Sequence, residues 1–100
     1  INTIIDKIQE HNPNITIVIE QLAPGKSSFM TDEFKLLFAQ MKTVIYQIAT
    51  NQTSTSSKVV VVDMATGFTD DLLVDDIHYN NAGAEFIATR YYNALSPFLE

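Results

Sequence analysis

Apolar residues Ile1, Ile4, Ile5 and Ile8 recur at three- and four-residue intervals, the spacing of one helix face. The helix this predicts runs to about Glu10 or His11, because Pro13 forbids continuation. Ile15 to Ile19, I-T-I-V-I, is β-branched throughout and predicts a buried strand. Gln21 to Met30 carries Pro24 and Gly25 and reads as a loop. Thr31 is a fitting N-cap for a long amphipathic helix with Phe34, Leu37, Phe38, Met41, Val44, Ile45 and Ile48 in one broad stripe. The polar run Thr50 to Ser57 reads as a surface loop, and the four valines Val59 to Val62 as a second buried strand ending at Asp63. A loop from Met64 to about Tyr79 leads to a last helix capped by Asn80 or Asn81. That helix turns Ile87, Ala88, Tyr91, Ala94 and Leu95 inward and stops at Pro97.

The order is helix, strand, helix, strand, helix. Neither strand alternates apolar with polar residues, which is the pattern of strands covered on both faces. A strand–helix–strand crossover makes the pair parallel and right-handed. Two parallel strands are too few for an independent α/β sheet and leave a long edge unpaired. Residues 1–100 therefore read as the back part of one doubly wound α/β domain. The opening at Ile1, already in helical phase, reads as a cut end, so a missing export signal says nothing of the parent protein.

Composition changes this picture little. With 46% hydrophobic and 18% charged residues the chain can build a core and is not disordered by composition. Twelve acidic against six basic residues, a net charge of -6, argue against nucleic acid or an anionic membrane surface as partner, since both need a basic footprint. No run approaches the roughly 20 apolar residues of a membrane span. The chain has no cysteine, hence no disulfide framework and no thiolate metal site. Asn14-Ile15-Thr16 and Asn51-Gln52-Thr53 fit the glycosylation sequon, which matters only in a eukaryotic secretory pathway.

The candidate chemistry lies between the second strand and the last helix. His78 falls in the loop beyond the carboxyl end of a strand, where active sites of open α/β sheets collect. Its side chain titrates near neutrality and can act as a general base. Asp75, three residues earlier, can accept the Nδ1 proton and leave Nε2 free, with Asp76 a rival for that part. Asp63 could approach the same site but reads better as a partner of loop backbone. The cluster Asp70, Asp71, Asp75 and Asp76 does not follow the alternating spacing of a calcium loop. Pro24-Gly25-Lys26-Ser27 imitates the end of a phosphate-binding loop, but Glu20 stands where the first glycine belongs. Ser27 and Ser28 lack the glycines of a nucleophile elbow. His11 reads as a solvated residue at a helix end, and Tyr91 and Tyr92 as core and rim of the last helix.

The stretch D-D-I-H-Y-N-N-A-G-A-E-F-I-A, residues 75 to 88, resembles the C-terminal block of the SGNH (GDSL-type) ester hydrolases, roughly D-x-x-H-P-N-x-x-G followed by x-x-x-A. Asp75, His78, Asn80 or Asn81, Gly83 and Ala88 fall on or near that pattern. The flanking V-V-V-V-D-M-A-T-G-F and R-Y-Y-N-A-L-S-P-F-L look like members acting on acetylated polysaccharides such as xylan. The resemblance implies the C-terminal part of a three-layer, flavodoxin-like sheet domain. It makes His78 the base and Asp75 its orienter, and calls for neither metal nor organic cofactor. It departs at Asp76, where the family commonly has glycine, and at Tyr79, where it often has proline.

The family's nucleophilic serine, oxyanion glycine and asparagine blocks have no match in these residues. The expected partners are an ester substrate, narrowed to an acetylated carbohydrate, and an N-terminal half on another chain or in a longer parent. A homo-oligomer through the exposed strand edge is a further expectation. On this reading the 100 residues alone turn over no ester. The alternative is a non-catalytic α/β association module whose acidic loop binds a cation or a protein partner.

Overall fold

A computed structural model describes residues 1–99. The order is α1 (Asn2–His11), β1 (Ile17–Gln21), α2 (Asp32–Gln52), β2 (Val59–Asp63) and α3 (Asn81–Leu95), with short 3-10 turns at Asp70–Leu72 and Ser96–Phe98. The strands are parallel and pair from Ile17 with Val59 to Gln21 with Asp63. Ile17, Ile19 and Val61 pack against a cluster of Ile5, Ile48, Ala49 and Val59, so α1 and α2 cover that face. Neighbouring strand residues point to opposite faces. Glu20 accordingly points the other way, where it meets Tyr91 of α3. The result is three layers, helix–sheet–helix, in an α/β arrangement with a parallel sheet.

β1 lies two residues later than the apolar run suggests. Its first residues are committed elsewhere: the Ile15 amide donates to the Asn12 carbonyl, and the Ile15 carbonyl accepts from the Ser57 hydroxyl. Pairing starts where the neighbouring strand arrives, with the Ile17 amide on the Lys58 carbonyl. It continues into polar Glu20 and Gln21, and the Gln21 carbonyl accepts from Met64. The expected burial on both faces is not met within this chain: Ile17 to Glu20 are all half-buried.

Thr31 caps α2, its hydroxyl accepting from the Phe34 amide at 3.2 Å. The helix runs on to Gln52, two residues into the segment read as loop. Gln52 holds that last turn, its side-chain amide donating to Asn2 and Asp6 while its carbonyl accepts from Gln9. Of the expected stripe only Ile45 and Ile48 are buried, joined by Ala49, whereas Phe34, Leu37, Met41 and Val44 stand exposed. In α3, Ala88 is exposed, contrary to expectation. Ile87, Tyr91, Ala94 and Leu95 are half-buried, and the one buried residue is Gly83. Among the described residues no helix is long and apolar enough to cross a membrane.

Candidate active site

The chain between β2 and α3 is pinned rather than loose. Asp63, the last residue of β2, accepts from the amides of Ala65 and Thr66 at 2.8 and 3.0 Å and from the Thr66 hydroxyl. Partial burial pushes its carboxyl up, but the Thr66 and Ala65 hydrogen bonds and the Arg90 guanidinium outweigh this and hold it below its ordinary value. Arg90, the only arginine in the sequence, donates to the carbonyls of Asp63 and Thr66 at 2.8 and 2.6 Å and lies 4.5 Å over the Phe86 ring. Gly67 turns the chain just beyond these anchors with a φ of 80°, a conformation that suits glycine. Phe68 then packs edge-on against both Phe86 and Tyr79.

Beyond the Asp70–Leu72 turn the backbone doubles back. Leu73 and Tyr79 form an isolated antiparallel bridge, the Val74 amide donates to the His78 carbonyl, and the Asn80 amide donates to the Leu72 carbonyl. Asn80 is the cap of α3: its side-chain oxygen accepts from the Gly83 amide at 2.8 Å, and its amide nitrogen donates to the Asp71 carbonyl at 2.6 Å. Gly83 must be small because a Cβ there would sit 2.1 Å from the Leu72 carbonyl oxygen. The amino end of α3 is thereby pressed against the turn that carries His78.

Within that turn Asp75 accepts three contacts. Its Oδ1 takes the amides of Ile77 and His78 at 2.9 and 2.8 Å, and its Oδ2 lies 2.8 Å from His78 Nδ1. The Ile77 amide, then the His78 amide, then the His78 ring hold the Asp75 carboxyl down to about 2. An ionised carboxylate only accepts, so Nδ1 is the donor and the neutral ring presents Nε2 as an acceptor. Among the described residues no hydrogen bond engages Nε2, and 72% of the His78 side chain is exposed. Asp76 engages through its backbone, its carbonyl accepting from the Lys26 amide at 2.8 Å, and among the described residues no hydrogen bond joins its carboxylate to the ring. The geometry brings Asp75, not Asp76, to the ring.

The remaining candidates disperse. Ser27 gives both its amide and its hydroxyl to Asp70, at 2.8 and 2.9 Å, and Asp71 accepts from the Thr69 hydroxyl. Ser57 is buried with its hydroxyl on a carbonyl. Among the described residues no three His, Asp or Glu side chains gather as a metal site. Tyr91 donates to Glu20 at 2.7 Å, and burial together with that carboxylate pushes its phenol up to about 12. Burial and Glu20 also raise Tyr79. A pocket of about 150 Å³ reaches Ile77 and Tyr79, the neighbours of His78 in the chain, and is otherwise walled mainly by Phe29, Met30, Phe34 and Phe38.

Sequence reasoning did not single out Arg90 or Phe68, and it saw Gly83 only as part of a pattern. A lone arginine amid the apolar residues of a helix was the one available signal for Arg90.

No protein-family model matches the sequence, and no curated protein does. Two solved structures match with high probability. One is a carbohydrate esterase family 3 protein from Talaromyces cellulolyticus, at 27% identity and a TM-score of 0.77. The other is an acetyl esterase mutant with acetate ion, at 25% identity and a TM-score of 0.77. The chain shares the SGNH-type carbohydrate esterase fold. In each case the match covers 93% of this chain and 44% of the other, so the chain spans less than half the length of the SGNH-type structures it matches.

Proposed function

We propose that this chain supplies the general base of a serine-type ester hydrolase acting on carbohydrate O-acetyl esters. The observation that carries the reading is the Asp75–His78 pair, fixed through Nδ1 at 2.8 Å with Nε2 open to solvent. The esterase fold of the neighbours supports it. The nucleophilic serine and the oxyanion donors lie outside these 100 residues, on another chain or in a longer parent, and the chain by itself hydrolyses no ester.

In the completed site Nε2 takes the serine proton as the serine oxygen attacks the acyl carbon. The imidazolium then returns that proton to the departing sugar oxygen. A water, deprotonated by the same nitrogen, releases acetate and restores the serine. Asp75 keeps Nδ1 protonated through each step and stabilises the imidazolium. The apolar pocket beside Ile77 and Tyr79 suits a small acyl group better than a charged one.

The test is acetate release from acetylated xylan by a protein carrying this chain together with a serine-bearing remainder. The expected result is release that vanishes with His78→Ala. Release that persists in His78→Ala would remove His78 from the mechanism.

A further inference from the structure

A groove of about 560 Å³ opens between the segment that follows β1 and the segment that follows β2. Both segments leave the carboxyl ends of parallel strands, where open α/β sheets take their ligands. Both walls belong to this chain. Ser27 on the first wall gives its amide and its hydroxyl to Asp70 Oδ1 on the second, which ties the two together. Pro24, Met30 and the Phe68 ring give the groove an apolar side. Its polar side is left without partners. Among the described residues no hydrogen bond or ion pair engages the Lys35 ammonium, Asp70 Oδ2 or Asp71 Oδ2. The groove also adjoins the His78 turn. Phe68 packs edge-on against Tyr79 with ring centroids 5.8 Å apart, and Tyr79 follows His78 in the chain.

The charges narrow the ligand. Asp70 and Asp71 turn away an anion. A cation meets the Lys35 ammonium beside the carboxylates, and among the described residues no three His, Asp or Glu side chains gather to hold a metal. A sugar hydroxyl donates one proton and accepts at two lone pairs, so a neutral saccharide serves carboxylate and ammonium at once. The C–H face of a pyranose ring suits the Phe68 side of the groove. A space of ~150 Å³ takes a benzene-sized ring, so there is room for about three. We propose that this groove binds a neutral saccharide chain, with Asp70 and Asp71 accepting from its hydroxyls and Lys35 donating to them. The chain is the carbohydrate part of the ester that reaches His78, a role that rests on the esterase reading above, whereas binding itself needs no serine.

The test uses a protein carrying this chain together with the serine-bearing remainder, and xylohexaose, which has no ester to cleave, as the probe. Titration calorimetry is expected to show saturable binding. Lys35→Met on one wall and Asp71→Ala on the other should each raise Kd about tenfold, the scale of one lost hydrogen bond to a charged group. Lys7→Met, on α1 and outside the groove, should leave Kd unchanged. Lys35 and Asp71 are exposed, so both variants should melt at the parent's Tm. In the same protein KM for acetylated xylan should rise in step with Kd. Absence of saturable binding overturns the proposal, and so does a Kd unaltered in both groove variants. Tighter binding of hexagalacturonate than of xylohexaose overturns the choice of a neutral ligand. Acetate release separates the two claims. Binding that the groove variants weaken, without release by the parent, upholds the groove and sinks the esterase reading. Release with KM unaltered in both variants sinks the groove and leaves that reading standing.

Discussion

Between Leu73 and Asn80 the chain closes on itself: a bridge, two backbone hydrogen bonds, a helix cap and a doubly engaged carboxylate fix one imidazole. On the outer face of α2, apolar side chains stand in water and a buried amide oxygen has no donor. The two regions belong to one small fold yet draw on different sources of order. The His78 turn is held by contacts between residues close in sequence, with Gly83 of α3 packed against it, while Arg90 of α3 pins the Asp63–Thr66 segment ahead of it. The α2 face meets no such contacts among the described residues. The Asp75–His78 pair is thus complete within a few residues.

If the turn serves chemistry and not stability, the two should separate under mutation. In a protein that releases acetate, His78→Ala should lower kcat by on the order of 10⁴- to 10⁶-fold. The Tm should hold, because the exposed ring bonds only to the Asp75 side chain. A comparable fall in Tm would show the imidazole to be part of the scaffold. Asp75→Asn should cost about 10⁴-fold through loss of the correct tautomer, again read in kcat.

The bracing predicts the reverse pattern. Gly83→Ala drives a methyl into the Leu72 carbonyl and should destabilise by about 1–3 kcal/mol, measured by denaturant titration. Asn80→Ala removes the cap, costs about 1 kcal/mol and lowers the Tm by roughly 4–8 °C.

The smallest effect concerns pH. Asp75 is held down to about 2, below the ordinary carboxylate, so its contribution to stability is present above the unfolded value of about 4 and is lost as pH falls through about 2. Carboxyl-carbon NMR should place its midpoint near 2, and Asp75→Asn should flatten the loss of stability over that window. A midpoint near 4 would mean that the two amides do not hold the carboxylate in solution.

What the sequence revealed follows the same division. His78, Asp75 and the Asn80 cap lie within six residues, and Thr31 lies three residues from the amide it caps, so spacing alone located them. The start of β1 lies beyond the start of the apolar run because the Ile15 carbonyl is taken by Ser57, 42 residues away. Of the seven-residue α2 stripe only Ile45 and Ile48 are buried, because periodicity reports which side is apolar, not whether anything covers it. Arg90 and Gly83 work across 27 and 11 residues, on carbonyls whose positions no local pattern encodes.

The three-residue separation of Asp75 and His78 also has a consequence in time. Closure of a loop of about ten residues takes roughly 10–100 ns, whereas docking of separate pieces takes milliseconds to minutes. Asp75 and His78 can therefore meet early in folding and reunite quickly after any local opening. In the proposed esterase, a serine supplied from outside these residues would meet an imidazole already aimed.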